Sequence, residues 1–137
     1  MNLILLAAGK SSRIYNKIKK NKCLIKINNT SLIRNIIDNS SEANISEINI
    51  ITGFKPQNIK NELKDYNKIK FTNNSKYKTT DMVYSSIIGL KKSKSDTIIS
   101  YTDIVYTKKL FQIIKNSNKN FITIPYIKNW KSVWKKR

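Results

Sequence analysis

The chain has 137 residues, and its 27 Lys and Arg against 8 Asp and Glu give a formal charge of +19. That length buries the core of one domain, residues 1–137, and no more. A single cysteine excludes a disulfide framework, the lack of histidine removes the usual zinc ligand sets, and no apolar run approaches the roughly 20 residues of a membrane span.

The charge invites a nucleic-acid reading, but 24 of the cations are Lys and 3 are Arg, and 24 Ile and 18 Asn accompany them. Base-edge and phosphate-fork recognition favours the planar guanidinium of Arg. Lys, Ile and Asn rising together reflect A/T-rich codons instead, so no specific nucleic-acid partner is expected. The chain enters a strand at once, with no basic segment ahead of an apolar one, and the expected location is cytoplasmic.

In chain order, strand-like runs occupy Asn2 to Leu6, Leu24 to Ile27, Ile48 to Thr52, Lys68 to Thr72, Thr97 to Tyr101 and Phe121 to Ile124. Between them, Ser31 to Ala43 places Leu32, Ile33, Ile36 and Ile37 on one helical face, with Thr30 or Ser31 as N-cap. Gln57 to Tyr66 predicts a second helix, opened by Pro56 in its first turn. Thr80 to Lys92 predicts a third, with Met82, Val83, Ser86, Ile87 and Leu90 facing inward, and Lys108 to Asn116 a fourth. Alternating strands and helices predict an α/β domain: a Rossmann-like three-layer αβα arrangement around a mostly parallel, mixed sheet. Ligands of such sheets bind at the carboxyl ends of the strands. Leu6 to Arg13, Thr52-Gly53, Asn73-Asn74 and Thr102-Asp103 all fall at such ends.

The first of these ends is the most informative. Leu3 to Leu6 empty into Ala7-Ala8-Gly9, where nothing beyond a methyl projects, and then into Lys10-Ser11-Ser12-Arg13. Small residues let backbone approach a flat ligand, while N–H groups, hydroxyls and cations suit a polyphosphate. The run is neither a P-loop nor a dinucleotide fingerprint, since the further glycines of both patterns are missing. The alternative is a strand followed by an ordinary basic loop. Asp103 closes the strand Thr97 to Tyr101. A carboxylate there can hold Mg²⁺, which favours oxygen ligands and phosphates, or can simply cap the following turn.

The string LAAGKSSR resembles the L-A-A-G-x-(G/S)-x-R signature of the nucleotidyltransferases with a GT-A-like fold. Asn21-Lys22-Cys23-Leu24 resembles their second signature, Pro-Lys-x-Leu, with Asn21 in place of the proline. Ser100-Tyr101-Thr102-Asp103 resembles the strand end that carries their metal-binding aspartate, and Asn73 to Ser86 the N-x-x-Y-x-x-T-N stretch of phosphocholine cytidylyltransferase-like members. The tail from Tyr126 resembles their D-x-x-W-x-x-x-W-x-x-R motif, with Ile127 in place of the aspartate.

The resemblance implies a nucleotidyltransferase that moves a nucleotidyl group, most readily CMP from CTP, to a phosphorylated small molecule such as phosphocholine or a sugar 1-phosphate. Arg13 and Lys22 would neutralise the triphosphate and Asp103 would hold Mg²⁺. Leu6, Ala7, Ala8, Gly9, Lys10, Ser11, Ser12, Thr52, Gly53, Asn74, Thr80 and Asp81 would surround the nucleotide. Asp81 also suits plain helix capping. Trp130 and Trp134, four residues apart, would either wall an acceptor such as choline by cation–π attraction or pack in a core. Family members continue beyond the equivalent of Arg137, so the resemblance implies the N-terminal, nucleotide-binding part, as a fragment or a degenerate copy. A non-catalytic nucleotide-binding module and a basic nucleic-acid-binding domain are the competing readings.

Overall fold

The computed structural model describes residues 1–45, 47–117, 122–126 and 128–135, the last without the side chains of residues 133–135. Four strands form one sheet: β1 (Asn2–Ala7), β4 (Glu47–Thr52), β5 (Ile69–Asn73) and β6 (Thr97–Tyr101), in the order β5-β4-β1-β6. Every pairing in it is parallel, with Leu5 facing Ile50 on one side and Ser100 on the other. The chain builds outward from β1 through β4 to β5, then returns to place β6 on the opposite side of β1. The order therefore reverses between β1 and β6.

Helices cover both faces. Leu3, Leu5, Ile48 and Ile50 bury against Ile33, Ile36 and Ile37 of α2 (Leu32–Glu42), Ile59 of α3 (Pro56–Glu62) and Phe111 of α5 (Lys108–Lys115). α2 starts where Ser31 accepts the Arg34 N–H at 3.4 Å, the N-cap expected from its hydroxyl. α3 stops at Glu62, short of the expected Tyr66, because Arg34 draws that segment away: its guanidinium donates to the Glu62 carbonyl and to both Asp65 oxygens.

The opposite face carries α4 (Met82–Leu90), and here the expected inward residues are wrong. Met82, Val83, Ile87 and Leu90 are 43–59% exposed, Ser86 is only half-buried, and the helix presents Ser85 and Gly89 to the sheet. A Cβ on Gly89 would lie 2.9 Å from two side-chain carbons of Ile4 and 3.2 Å from Ile51. The helix sits so close to the isoleucines that only small residues fit beneath it.

Two further departures follow from local chemistry. The strand expected over Leu24 to Ile27 is a short 3-10 turn (Lys22–Leu24) followed by the hairpin of β2 (Lys26–Ile27) and β3 (Thr30–Ser31). Asn28 and Asn29, at φ 49° and 65°, supply the two left-handed residues of its turn. The strand expected over Phe121 to Ile124 is not formed by residues 122–124, which pair with no strand of the sheet, and Phe121 lies outside the described residues. α1 (Ser12–Ile18), not expected, follows β1, and α6 (Trp130–Lys135) ends the described chain.

Candidate active site

β1 ends at Ala7, and the next residues cross the top of the sheet before Ser11, at φ 57°, turns the chain into α1. The Ser11 carbonyl accepts from the Ile14 and Tyr15 N–H groups at 3.0 and 2.9 Å, which fixes the turn. Gly9 needs no left-handed backbone, and a Cβ there would meet nothing within 4 Å. What its missing side chain preserves is open space beside the loop. That space belongs to a pocket of about 470 Å³ lined on this side by Leu6, Ala7, Gly9, Ser11, Ser12 and Arg13.

The facing wall comes from distant sequence. Asn21, Lys22 and Cys23 arrive from the 3-10 turn, Thr102 and Asp103 from the end of β6. The Thr102 hydroxyl donates to the Leu6 carbonyl at 3.1 Å, stitching the carboxyl ends of β6 and β1 together. Its side chain is thereby turned down into the sheet. The Lys22 ammonium forms an ion pair with the Asp103 carboxylate, both half-exposed in the pocket. Cys23 is buried, and that burial pushes its thiol up to about 12, an inert state.

Among the described residues no cluster of three or more His, Cys, Asp or Glu could cage a metal ion. One carboxylate among cations is nonetheless a fitting donor set for Mg²⁺, which is bound through one or two carboxylates together with substrate phosphates. It does not fit zinc or calcium, which need several protein ligands.

The other expected residues are not in the lining of this pocket. Ala8 shapes the loop from behind: its carbonyl accepts from the Phe54 N–H at 2.9 Å, and it lies 2.8 Å from where a Gly53 Cβ would be. Lys10 is exposed on the same loop. Thr52 is buried at the end of β4. Asn74 spends its side chain on protein partners: its amide donates to the Thr80 and Ser85 hydroxyls at 3.1 Å each, and its oxygen accepts from the Lys76 N–H at 2.9 Å. Asp81 caps α4, accepting from the Tyr84 N–H at 3.1 Å. Trp130 is half exposed on α6 and is not part of the pocket lining, and the Trp134 side chain lies outside the described residues.

Two residues that sequence reasoning passed over emerge as organisers. The Phe54 ring packs edge-on to Tyr15 of α1 at 5.1 Å and leans on Tyr77 at 6.3 Å, so one helix and two loops meet there. Asn21 is 2% exposed and donates its amide to the Phe54 carbonyl at 2.7 Å. Phe54 had no sequence signal, and Asn21 entered only as the residue in place of a signature proline.

A parallel sheet with a cationic, carboxylate-bearing pocket at the point where strand order reverses defines an α/β domain of the kind that places ligands at that point. The chain belongs to the MobA-like NTP transferase domain family, whose model matches residues 3–125. It is 37% identical over 144 residues to a CTP:phosphoglutamine cytidylyltransferase of Campylobacter jejuni, spanning 100% of this chain and 56% of that protein. In solved structures the fold is similar to a nucleotidyl transferase from Methanothermobacter (TM-score 0.71, 16% identity, 82% of this chain and 55% of that one). It is also similar to the CTP:phosphocholine cytidylyltransferase of Streptococcus pneumoniae (TM-score 0.68, 23% identity, 79% and 49%). The chain thus spans about half the length of the relatives it matches. No helix among the described residues is long and apolar enough to cross a membrane.

Proposed function

We propose that the protein of which this chain is part transfers a cytidylyl group from CTP to a phosphorylated small molecule and releases pyrophosphate. The observation that carries this reading is the convergence of Arg13, Lys22 and Asp103, from three separate stretches of chain, on one pocket between the ends of β1 and β6. CTP is favoured because two relatives are named for it.

In the reaction, an oxygen of the acceptor phosphate attacks the α-phosphorus of CTP. The bond from that phosphorus to the oxygen bridging toward the β-phosphate breaks, and its electrons leave with pyrophosphate. The acceptor phosphate is already ionised, so no general base is required. Catalysis consists of alignment and charge neutralisation. Arg13 and Lys22 bind the triphosphate oxygens, and the bare backbone around Gly9 admits the nucleotide. Asp103 would hold Mg²⁺, which supplies further neutralisation of phosphate charge when bound.

For the acceptor, the 37% identical relative makes phosphoglutamine the first compound to try, ahead of phosphocholine and sugar 1-phosphates. The test is pyrophosphate release with each nucleoside triphosphate, Mg²⁺ and each acceptor in turn. Release restricted to CTP with one acceptor supports the reading. Binding of CTP without release under any acceptor makes this chain a nucleotide-binding module, and binding of oligonucleotide alone at physiological salt overturns both.

A further inference from the structure

We propose that Asn21 is a positioning residue: its carboxamide ties the turn that carries Lys22 to the Phe54 carbonyl and so holds the Lys22 ammonium in the pocket. The inference rests on the nucleotide-binding reading of that pocket and adds a residue to it.

The geometry is a relay of hydrogen bonds across three loops. The Asn21 amide donates to the Phe54 carbonyl at 2.7 Å, and the Phe54 N–H donates to the Ala8 carbonyl at 2.9 Å. Asn21 itself accepts the Leu24 N–H on its backbone carbonyl at 2.9 Å, closing the turn in which Lys22 and Cys23 sit. The loop after β1, the loop after β4 and the Lys22 turn are thereby fixed to one another. Lys22 has a long flexible stem, and Lys19 and Lys20 precede its turn on the surface. Its ammonium reaches Asp103 only if the turn below it is held.

The energetics of Asn21 argue for this role over a packing one. The side chain is almost wholly buried, yet its oxygen Oδ1 has no hydrogen-bond partner. A buried amide with its acceptor unpaired works against folding. The Phe54 carbonyl also fixes which way the amide points, because only the NH₂ group can donate to it. Groups that disfavour stability while ordering a site are the usual signature of positioning. Asn21 stands at φ −61°, the angle a proline ring would impose, and its ψ of 138° is one that proline adopts freely. Two means of holding this turn are therefore available: a side-chain tether or a ring.

Cys23 supplies a reporter that needs no nucleotide. It is the only cysteine, it is 3% exposed, and it lies two residues from Asn21, so alkylation requires the turn to open. With Asn21→Ala, Cys23 should alkylate about tenfold faster and CTP with Mg²⁺ should bind about tenfold more weakly, the scale of one hydrogen bond. Its melting temperature should change little, because loss of the unpaired oxygen offsets the Phe54 carbonyl left without its donor. Asn21→Pro, which fixes the same φ, should keep both Cys23 protection and CTP affinity. Unchanged alkylation in Asn21→Ala overturns the tether. So does a fall in melting temperature with alkylation that merely tracks global unfolding, or loss of protection in both variants. Alkylation decides the tether even if the parent chain binds no CTP, an outcome that overturns the proposed function alone.

Discussion

Lys22 and Asp103, separated by 81 positions in sequence, neutralise each other across the pocket mouth. The pair joins the expected phosphate cation to the expected metal ligand. Both side chains keep partial access to solvent, so the pair contributes little to folding. A bound triphosphate with a divalent cation would give each charge a new partner at once. Asp103→Asn should therefore abolish the Mg²⁺ dependence of CTP binding while leaving ligand-free stability within about 1 kcal/mol. Calorimetric titrations with and without Mg²⁺ decide it. Collapse of stability with metal dependence intact would make Asp103 a structural cap.

Arg13 lines the same pocket from an exposed position at the start of α1. Arg13→Ala should weaken CTP binding by about 1.5–3 kcal/mol, the value of a charge-assisted hydrogen bond, with an unchanged melting curve. Calorimetry on the folded variant is the measurement, and an unaltered affinity would remove Arg13 from the site.

Gly53 tests the scaffold behind the loop. A Cβ there would sit 2.6 Å from the Tyr77 Cβ and 2.8 Å from the Ala8 carbonyl oxygen, and neither atom is the end of a flexible side chain. Gly53→Ala should cost about 1–3 kcal/mol of stability through overpacking. Chemical denaturation would show it, and a variant as stable as the parent would mean that Ala8 is free to shift.

Acid should weaken the Arg34 network. Hydrogen bonding from the Arg34 guanidinium holds the Asp65 carboxyl below its ordinary value of 3.8. The folded state thus binds this proton less readily than the unfolded chain does. The resulting stability is present in full above the ordinary value and is lost as pH falls through the depressed one. Arg34→Gln should flatten the fall in melting temperature as pH drops from about the ordinary value of 3.8 downward. Equal acid sensitivity in parent and variant would show that Asp65 makes no pH-dependent contribution.

The sequence made some of this legible and hid the rest for definite reasons. Thr97 to Tyr101 reads as a strand because nothing else accounts for its apolar run, and α2 because its four large apolar residues share one face. α4 misled because periodicity assumes that large residues face inward. There the close approach to Ile4 and Ile51 selects Ser85 and Gly89 instead. The hairpin at Asn28-Asn29 was visible in principle, since paired asparagines suit a left-handed two-residue turn. Within the site, Arg13, Lys22 and Asp103 stood out because each sits in a recognisable string. Asn21 sits in the same string as Lys22, but only as a departure from its proline, and its role shows in what it touches.

The apolar strip that α4 turns outward has a colloidal consequence. Met82, Val83, Ile87 and Leu90 would draw molecules together on contact, while a formal charge of +19 keeps them from reaching contact. The two effects have different ranges. Added salt shortens the repulsion to about 8 Å at physiological ionic strength but leaves the apolar attraction intact. The dispersed state of this chain is then set by the buffer: dilute salt disperses it, and concentrated salt lets the strip of one molecule find another.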